Sequence, residues 1–205
     1  MTFAASELIV PSGWVGVPTR QLINARSGSA LWMSTAVQLV RADDRLVARF
    51  VCAARSIRAT MTHYKDKVWQ EGAVQVYLRP PGDPRLYEFQ LSPLGTTRDL
   101  LVHDPGTPAQ VFDDSWSCEG LATAAWIHRD EDGKVEGWEA AFMIPLAAMV
   151  GADVASAAGW RVGVFRLEYD PVEFGALAAD PTAGAHADVF LVDLDSWVAR
   201  ATSSV

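Results

Sequence analysis

Four histidines, two cysteines and 25 aspartates and glutamates are the groups in this 205-residue chain that could act as bases, nucleophiles or metal ligands. Their placement assembles no catalytic pattern. The histidines stand in unrelated contexts: His63 in THYKD, His103 in VHDP, His128 in WIHRDE and His186 in GAHADV. A nucleophilic triad needs a Ser or Cys held by an oriented base, and the sequence has no GxSxG turn. HExxH, GxGxxG and phosphate-cradling glycine loops are also missing. Two carboxylates suffice for glycoside hydrolysis, but among 25 acidic groups some pair always lies close, so their number gives that chemistry no support. The run RDEDGK has the acidic density of a calcium loop but lacks the later Glu and the flanking helices of an EF-hand. It reads as a solvated hairpin turn. Cys52, in RLVARFVCA, and Cys118, in DDSWSCEG, have no metal-ligand spacing and read as free thiols.

The aromatic residues carry more information. Eight tryptophans are many for this length. Trp138 and Trp160 each follow a glycine and open an apolar strand, which marks them as core. Trp69 differs: it stands among polar residues in YKDKVWQEG, at the entry to a strand. Sugar rings present apolar C–H faces that suit a flat aromatic surface, while neighbouring polar side chains hold the hydroxyls. A sugar site is therefore an aromatic platform beside hydrogen-bonding groups on a rigid sheet. The candidate site is Trp69 with Gln75, Tyr77, Gln90 and Ser92 beside it and Arg166 and Tyr169 at the rim. The alternative is that the face carrying Gln75, Tyr77, Gln90 and Ser92 is simply the wet side of the sheet.

The elements that must position these residues show up as period-two alternation. LWMSTAVQLVRA and RLVARFVCA alternate around a turn at residues 41–45. In GAVQVYLRP, Val74, Val76 and Leu78 face one way, and Gln75, Tyr77 and Arg79 the other. PPGDP is a turn, after which Tyr87, Phe89 and Leu91 alternate with Glu88, Gln90 and Ser92. LATAAWIHRDEDGKVEGWEAAFMIP is a second hairpin with Asp132-Gly133 at its turn, and Pro145 stops it. LAAMVGADVASA reads as helical, GWRVGVFRLEY as a strand and ADVFLVDLD as the last strand. EFGALAADPTAGAHAD reads as a loop, and SWVARATSSV as a tail. Short strands separated by turns indicate a sandwich or barrel, and the length suits one domain over residues 1–205.

The formal charge is −8 and the pI about 4.9. No basic patch is present for nucleic acid, and an anionic surface repels phosphate backbones and anionic lipid. Neutral ligands such as sugars fit this balance. No run approaches the roughly 18 apolar residues of a membrane helix. The start, MTFAASELIVPSG, lacks a basic n-region and a long apolar core, so the chain is expected to be cytoplasmic, or secreted if a signal has been removed.

The order of segments resembles the family-9 carbohydrate-binding modules. IRATMTHYKDKVWQEGAVQVYLRP, LYEFQLSPLGTTRD, GWEAAFMIPLAAM and GWRVGVFRLEY follow one another as in that family, over roughly residues 35–194. The resemblance implies an all-β fold, an antiparallel β-sandwich of jelly-roll or immunoglobulin-like type with one or two short helices. It also implies a non-catalytic module in which two Trp clamp a sugar; no cofactor is expected, although members of the family often bind calcium structurally. Carried over by position, Trp69 matches the first clamp Trp. Gln75 takes the place of a family Glu. Gln90 and Ser92 fall in the polar-contact block, Ser92 in place of an Asn. Gly163 replaces another Asn, and the acidic pair has become Glu71-Gly72. The second clamp position falls at Leu177 or Ala179, with Phe174 the nearest aromatic. Two other expectations follow from these departures and from wider relatives. One is a scaffold or protein-interaction domain that has lost the sugar clamp. The other is a haem-binding DOMON-type domain with Met33, Met61 and His63 as ligands.

Overall fold

The computed structural model describes residues 14–42, 44–180 and 190–200. The strands are β1 (Thr19–Gln21), β2 (Ile23–Asn24), β3 (Thr35–Ala42), β4 (Arg45–Ala53), β5 (Ala73–Arg79), β6 (Leu86–Leu91) and β7 (Thr97–His103), followed by β8 (Val111–Asp113), β9 (Ala122–Arg129), β10 (Val135–Pro145), β11 (Arg161–Tyr169), β12 (Val172–Ala176), β13 (Val192–Asp193) and β14 (Ala199–Arg200). Three helices of four residues, α1 (Ala147–Val150), α2 (Ala152–Ala155) and α3 (Leu194–Trp197), complete the described elements. They form two sheets, which makes the expected antiparallel β-sandwich. The first runs β1-β3-β4-β10-β9, with β14 also on β3; the second runs β2-β12-β11-β5-β6-β7-β8, with β13 also on β11. Among the described residues every strand pairing is antiparallel except β14 on β3.

Alternation decides what lies between the sheets. Leu46, Ala48 and Phe50 of β4 and Trp138, Ala140 and Phe142 of β10 point inward from the first sheet. Val74, Val76 and Leu78 of β5 and Tyr87, Phe89 and Leu91 of β6 meet them from the second. Phe50 and Phe142 pack edge to face at 6.0 Å. Burying each large apolar side chain contributes about 1.5–3 kcal/mol, so the interleaved rows account for much of the driving force.

Trp69, expected at the entry to a strand, does stand there, in a 3-10 turn, Val68–Gln70, just before β5. Several other local expectations are corrected. LAAMVGADVASA is helical but broken by Gly151, whose φ of +86° suits glycine. Residues read as a loop after Tyr169 form β12, because Val172–Ala176 pairs along β11. In ADVFLVDLD only Val192–Asp193 is strand among the described residues, and the chain then turns into α3, capped by Asp193 accepting from Asp195 N. The tail adds a strand, β14. The helices are short, four residues each, and subordinate to the sheets as expected.

Candidate functional site

The outer face of the second sheet forms a concave cavity of about 970 Å³. Its floor follows from strand register. Gln75 of β5 pairs with Gln90 of β6, which pairs with Arg98 of β7; one row along, Tyr77 pairs with Glu88. Period two turns all five side chains away from the apolar core and into the cavity. This face is not the wet side of the sheet: Gln75, Glu88 and Gln90 are all buried, and every residue of β6 is buried on both faces. Residues 190–191 cross part of the face. A Cβ on Gly163 would stand 3.1 Å from Leu191 Cδ2 and 3.4 Å from Phe165 Cε2, so the glycine at this position makes room for that crossing.

Glu88 organises the floor. It is 3% exposed, and its Oε1 accepts from Gln75 Nε2 at 3.1 Å, from Tyr77 OH at 2.9 Å and from Gln90 Nε2. Burial pushes its carboxyl up, opposed by the Gln90 and Tyr77 hydrogen bonds and by the Arg98 charge. Burial, then the Glu88 charge, pushes the Tyr77 phenol well above its ordinary value, so it remains a donor. These three donors are committed to one oxygen. Glu88 Oε2 has no donor among the described residues and is not enclosed, while Gln90 Oε1 is buried without a partner. Beside them the Arg98 guanidinium grips Asp114 in bidentate fashion, Nε to Oδ1 at 3.1 Å and the second nitrogen at 2.7 and 3.0 Å. The floor thus presents one open acceptor, Glu88 Oε2, to whatever enters.

The walls are aromatic. Trp69 is 40% exposed. Its turn is anchored by buried Val68, and its carbonyl accepts from Tyr169 OH at 2.7 Å. Tyr169 packs edge-on to Phe174 at 6.3 Å, with the Arg58 guanidinium 5.3 Å from its ring. Phe165 lies edge-on to both Tyr77, at 5.4 Å, and Phe190, at 5.2 Å. Phe112 of β8 closes the far side, as exposed as a residue on an edge strand should be.

Of the residues expected at the site, Trp69, Gln75, Tyr77, Gln90 and Tyr169 line this cavity. Ser92 and Arg166 do not. Ser92 is buried in the β6–β7 turn, where its Oγ accepts from Leu94 N and Thr96 N, both at 3.2 Å. Arg166 has the opposite parity from Tyr169 on β11, so its side chain enters the sandwich. There it donates to Thr35 Oγ1 at 3.0 Å and Ala53 O at 2.8 Å and pairs with Glu168. The sequence reading missed Glu88, Arg98, Asp114, Phe112, Phe165 and Phe190. Glu88 was discoverable, because it alternates in phase with Gln90. Phe112 gave no signal, because β8 is three residues long.

Leu177, at the second clamp position, is buried in the core, whereas Phe174 lines the cavity. None of Met33, Met61 and His63 lines it. The described histidines face separate carboxylates, Asp66, Asp113 and Glu139, and His186 lies outside the described residues. Both cysteines are buried free thiols. No described helix is long and apolar enough to cross a membrane. Among the described residues no three His, Cys, Asp or Glu side chains converge as metal ligands. Two carbonyls and a carboxylate oxygen, from Asp99 and Trp116, surround the ammonium of Lys65.

No curated protein matches the chain. Among solved structures, a candidate carbohydrate-binding protein from Bacteroides uniformis aligns over 93% of this chain and 93% of its own, with 17% identity and a TM-score of 0.70. A family 9 carbohydrate binding module from Caldicellulosiruptor kristjanssonii, in complex with glucose, aligns over 96% of this chain and 91% of its own at 10% identity and TM-score 0.59. The cellotriose complex of a family 9 module from the same organism gives 96%, 90%, 12% and 0.58. At these identities the likeness is one of fold. The sequence model described as "Carbohydrate-binding family 9" matches residues 27–165, more than half of the chain, and on that match the chain belongs to carbohydrate-binding family 9.

Proposed function

We propose that the chain is a non-catalytic module that binds a carbohydrate in the cavity of the second sheet. Trp69 is the stacking platform, and Glu88 Oε2 is the acceptor for ligand hydroxyls, with Gln75 and Gln90 beside it holding the carboxylate in place. The observation that carries this reading is the pairing of a half-exposed indole with a buried floor in which Gln75, Tyr77 and Gln90 each donate to Glu88 Oε1 while Glu88 Oε2 has no donor among the described residues. Such a floor favours a ligand rich in hydroxyl donors, and the aromatic wall favours one with flat apolar faces. Catalysis has no support from the described groups. The described acids lining the cavity are Glu88, Asp114, Glu173 and Asp180; Glu88 is tied to three donors, Asp114 to Arg98 and Glu173 to the Trp32 and Met33 N–H groups. The glucose and cellotriose complexes of the Caldicellulosiruptor modules name the first ligands to try.

The test is a melting and calorimetric titration with glucose and cellotriose, on the chain and on Trp69→Ala. A ligand that binds only the folded state raises the melting temperature once it exceeds its Kd. Stacking on one aromatic face is worth about 1–3 kcal/mol for a nucleobase, so Trp69→Ala is expected to weaken sugar binding about 10- to 100-fold. A flat response to both sugars and to a wider glycan panel would remove this reading and favour the scaffold alternative.

A further inference from the structure

Lys65 is one of two non-glycine residues with positive φ among the described residues, at 72°. A long side chain keeps that conformation only where its surroundings impose it. Here the backbone N–H donates to Thr97 O at 3.0 Å and the far end of the side chain is held as well. Lys65 Nζ donates to the carbonyl of Asp99 and to the carbonyl of Trp116 at 2.5 Å, and it stands 3.2 Å from Asp99 Oδ1. An ammonium has three donors, and three oxygens meet them. The Tyr64 ring lies 5.2 Å from the charge. Asp99 is itself pinned: Oδ1 also accepts from Tyr64 OH and Oδ2 from Cys118 N, both at 2.6 Å.

A cage of carbonyls and a buried carboxylate, acceptors only, is what a hard cation takes. Three stretches of chain meet at it: the loop before β5, strand β7, and the loop between β8 and β9. The loop before β5 is the one that carries Trp69. From Lys65 the chain is tightly held: Lys65 N donates to Thr97 O at 3.0 Å, Asp66 Oδ2 accepts from Thr62 N and His63 N, and Val68 N donates to Asp66 O. Val68 is fully buried, and Trp69 follows directly. We infer that Lys65 is a built-in cation whose ammonium fills the Asp99–Trp116 cage in place of a metal ion and thereby positions the Trp69 turn. Lys65 is a positioning residue, and its effect on sugar affinity rests on the reading of Trp69 as the platform. The cage itself does not depend on that reading.

The experiment compares the chain, Lys65→Met, Trp69→Ala and the double variant by thermal melting in millimolar CaCl2 and in EDTA, and by calorimetric titration with cellotriose. Met keeps the apolar stem and removes the charge. The expected result is an unaltered chain that melts at the same temperature in CaCl2 and EDTA, and a Lys65→Met variant that melts several degrees lower. Lys65→Met also binds cellotriose about tenfold more weakly, and this loss vanishes in the Trp69→Ala background, because a residue acting through Trp69 has nothing left to position. A melting temperature of the unaltered chain that rises with calcium and falls with EDTA would overturn the inference. So would Lys65→Met melting and binding like the unaltered chain, or an affinity loss that persists without Trp69. If the unaltered chain binds no sugar, the proposed function falls, while the melting comparison still decides whether Lys65 replaces a metal. If Lys65→Met does not fold, the calcium and EDTA comparison on the unaltered chain decides alone.

Discussion

Glu88 is the residue on which the cavity's chemistry turns. A carboxylate this buried is tolerated because three donors converge on one oxygen, yet its second oxygen remains without a donor. Glu88→Gln keeps the shape and turns that open position from acceptor to donor. Hydrogen bonds to charged groups are worth about 1.5–3 kcal/mol, so cellotriose affinity is expected to fall about 10- to 100-fold with little change in the far-UV spectrum. The same residue gives a pH signature. Burial raises its carboxyl in the folded state, so above the ordinary carboxylate range the folded chain still holds a proton that the unfolded chain has released. The stability Glu88 contributes is full below that range and is lost as pH rises through the raised value. Urea melts at stepped pH are expected to show the unaltered chain losing stability relative to Glu88→Gln as pH rises from the ordinary carboxylate range towards neutrality. A constant difference across that span would show that Glu88 does not titrate as its burial implies.

At the scale of the element, β11 separates structure from binding. Val162, Val164, Arg166 and Glu168 enter the sandwich, while Phe165, Leu167 and Tyr169 face the cavity. Arg166, 1% exposed, joins the second sheet to Thr35 and Ala53 of the first. Breaking a buried pair by removing one partner costs about 3–5 kcal/mol. Arg166→Leu is therefore expected to lower the melting temperature by on the order of 10 °C and to leave cellotriose affinity of the folded fraction unchanged. An affinity loss without a stability loss would return Arg166 to the site. This residue also shows what the sequence conveys and what it hides. Alternation in GAVQVYLRP and LYEFQLSP revealed the cavity floor, because both strands pair along their length and every second side chain must share a face. It did not reveal that the polar face is buried, since residues distant in sequence, among them Phe190 and Leu191, pack on that face against Tyr77. Arg166 was misplaced because a charged residue suggests a surface, and a sandwich that buries an ion pair between its sheets contradicts that suggestion. The 3-10 turn at Trp69 was equally hidden, since its form is set by the Val68 anchor and by contacts to distant residues such as Tyr169.

At the scale of the molecule, the cavity crosses the sheet from Phe174 on β12 to Phe112 on β8. Five strand intervals separate them in the order β12-β11-β5-β6-β7-β8, and at about 4.8 Å each the span is about 24 Å. That is far wider than one sugar ring. Trp69 and Tyr169 stand at the β12 side, joined by the hydrogen bond from Tyr169 OH to the Trp69 carbonyl, so a single ring stacked on Trp69 leaves Phe112 untouched. A longer chain laid along the floor would pass Glu88 and the Arg98–Asp114 pair and reach Phe112, which is 54% exposed and held on a three-residue edge strand. The two sugars therefore separate the two ends. Trp69→Ala is expected to weaken glucose and cellotriose alike, whereas Phe112→Ala weakens cellotriose several-fold and leaves glucose unchanged. Calorimetry with both ligands on both variants reads this directly. Equal losses for glucose and cellotriose in Phe112→Ala would place the first ring at the β8 end. No loss for either would confine the ligand to the β12 side, where the Trp69 turn held by Lys65 alone would set affinity.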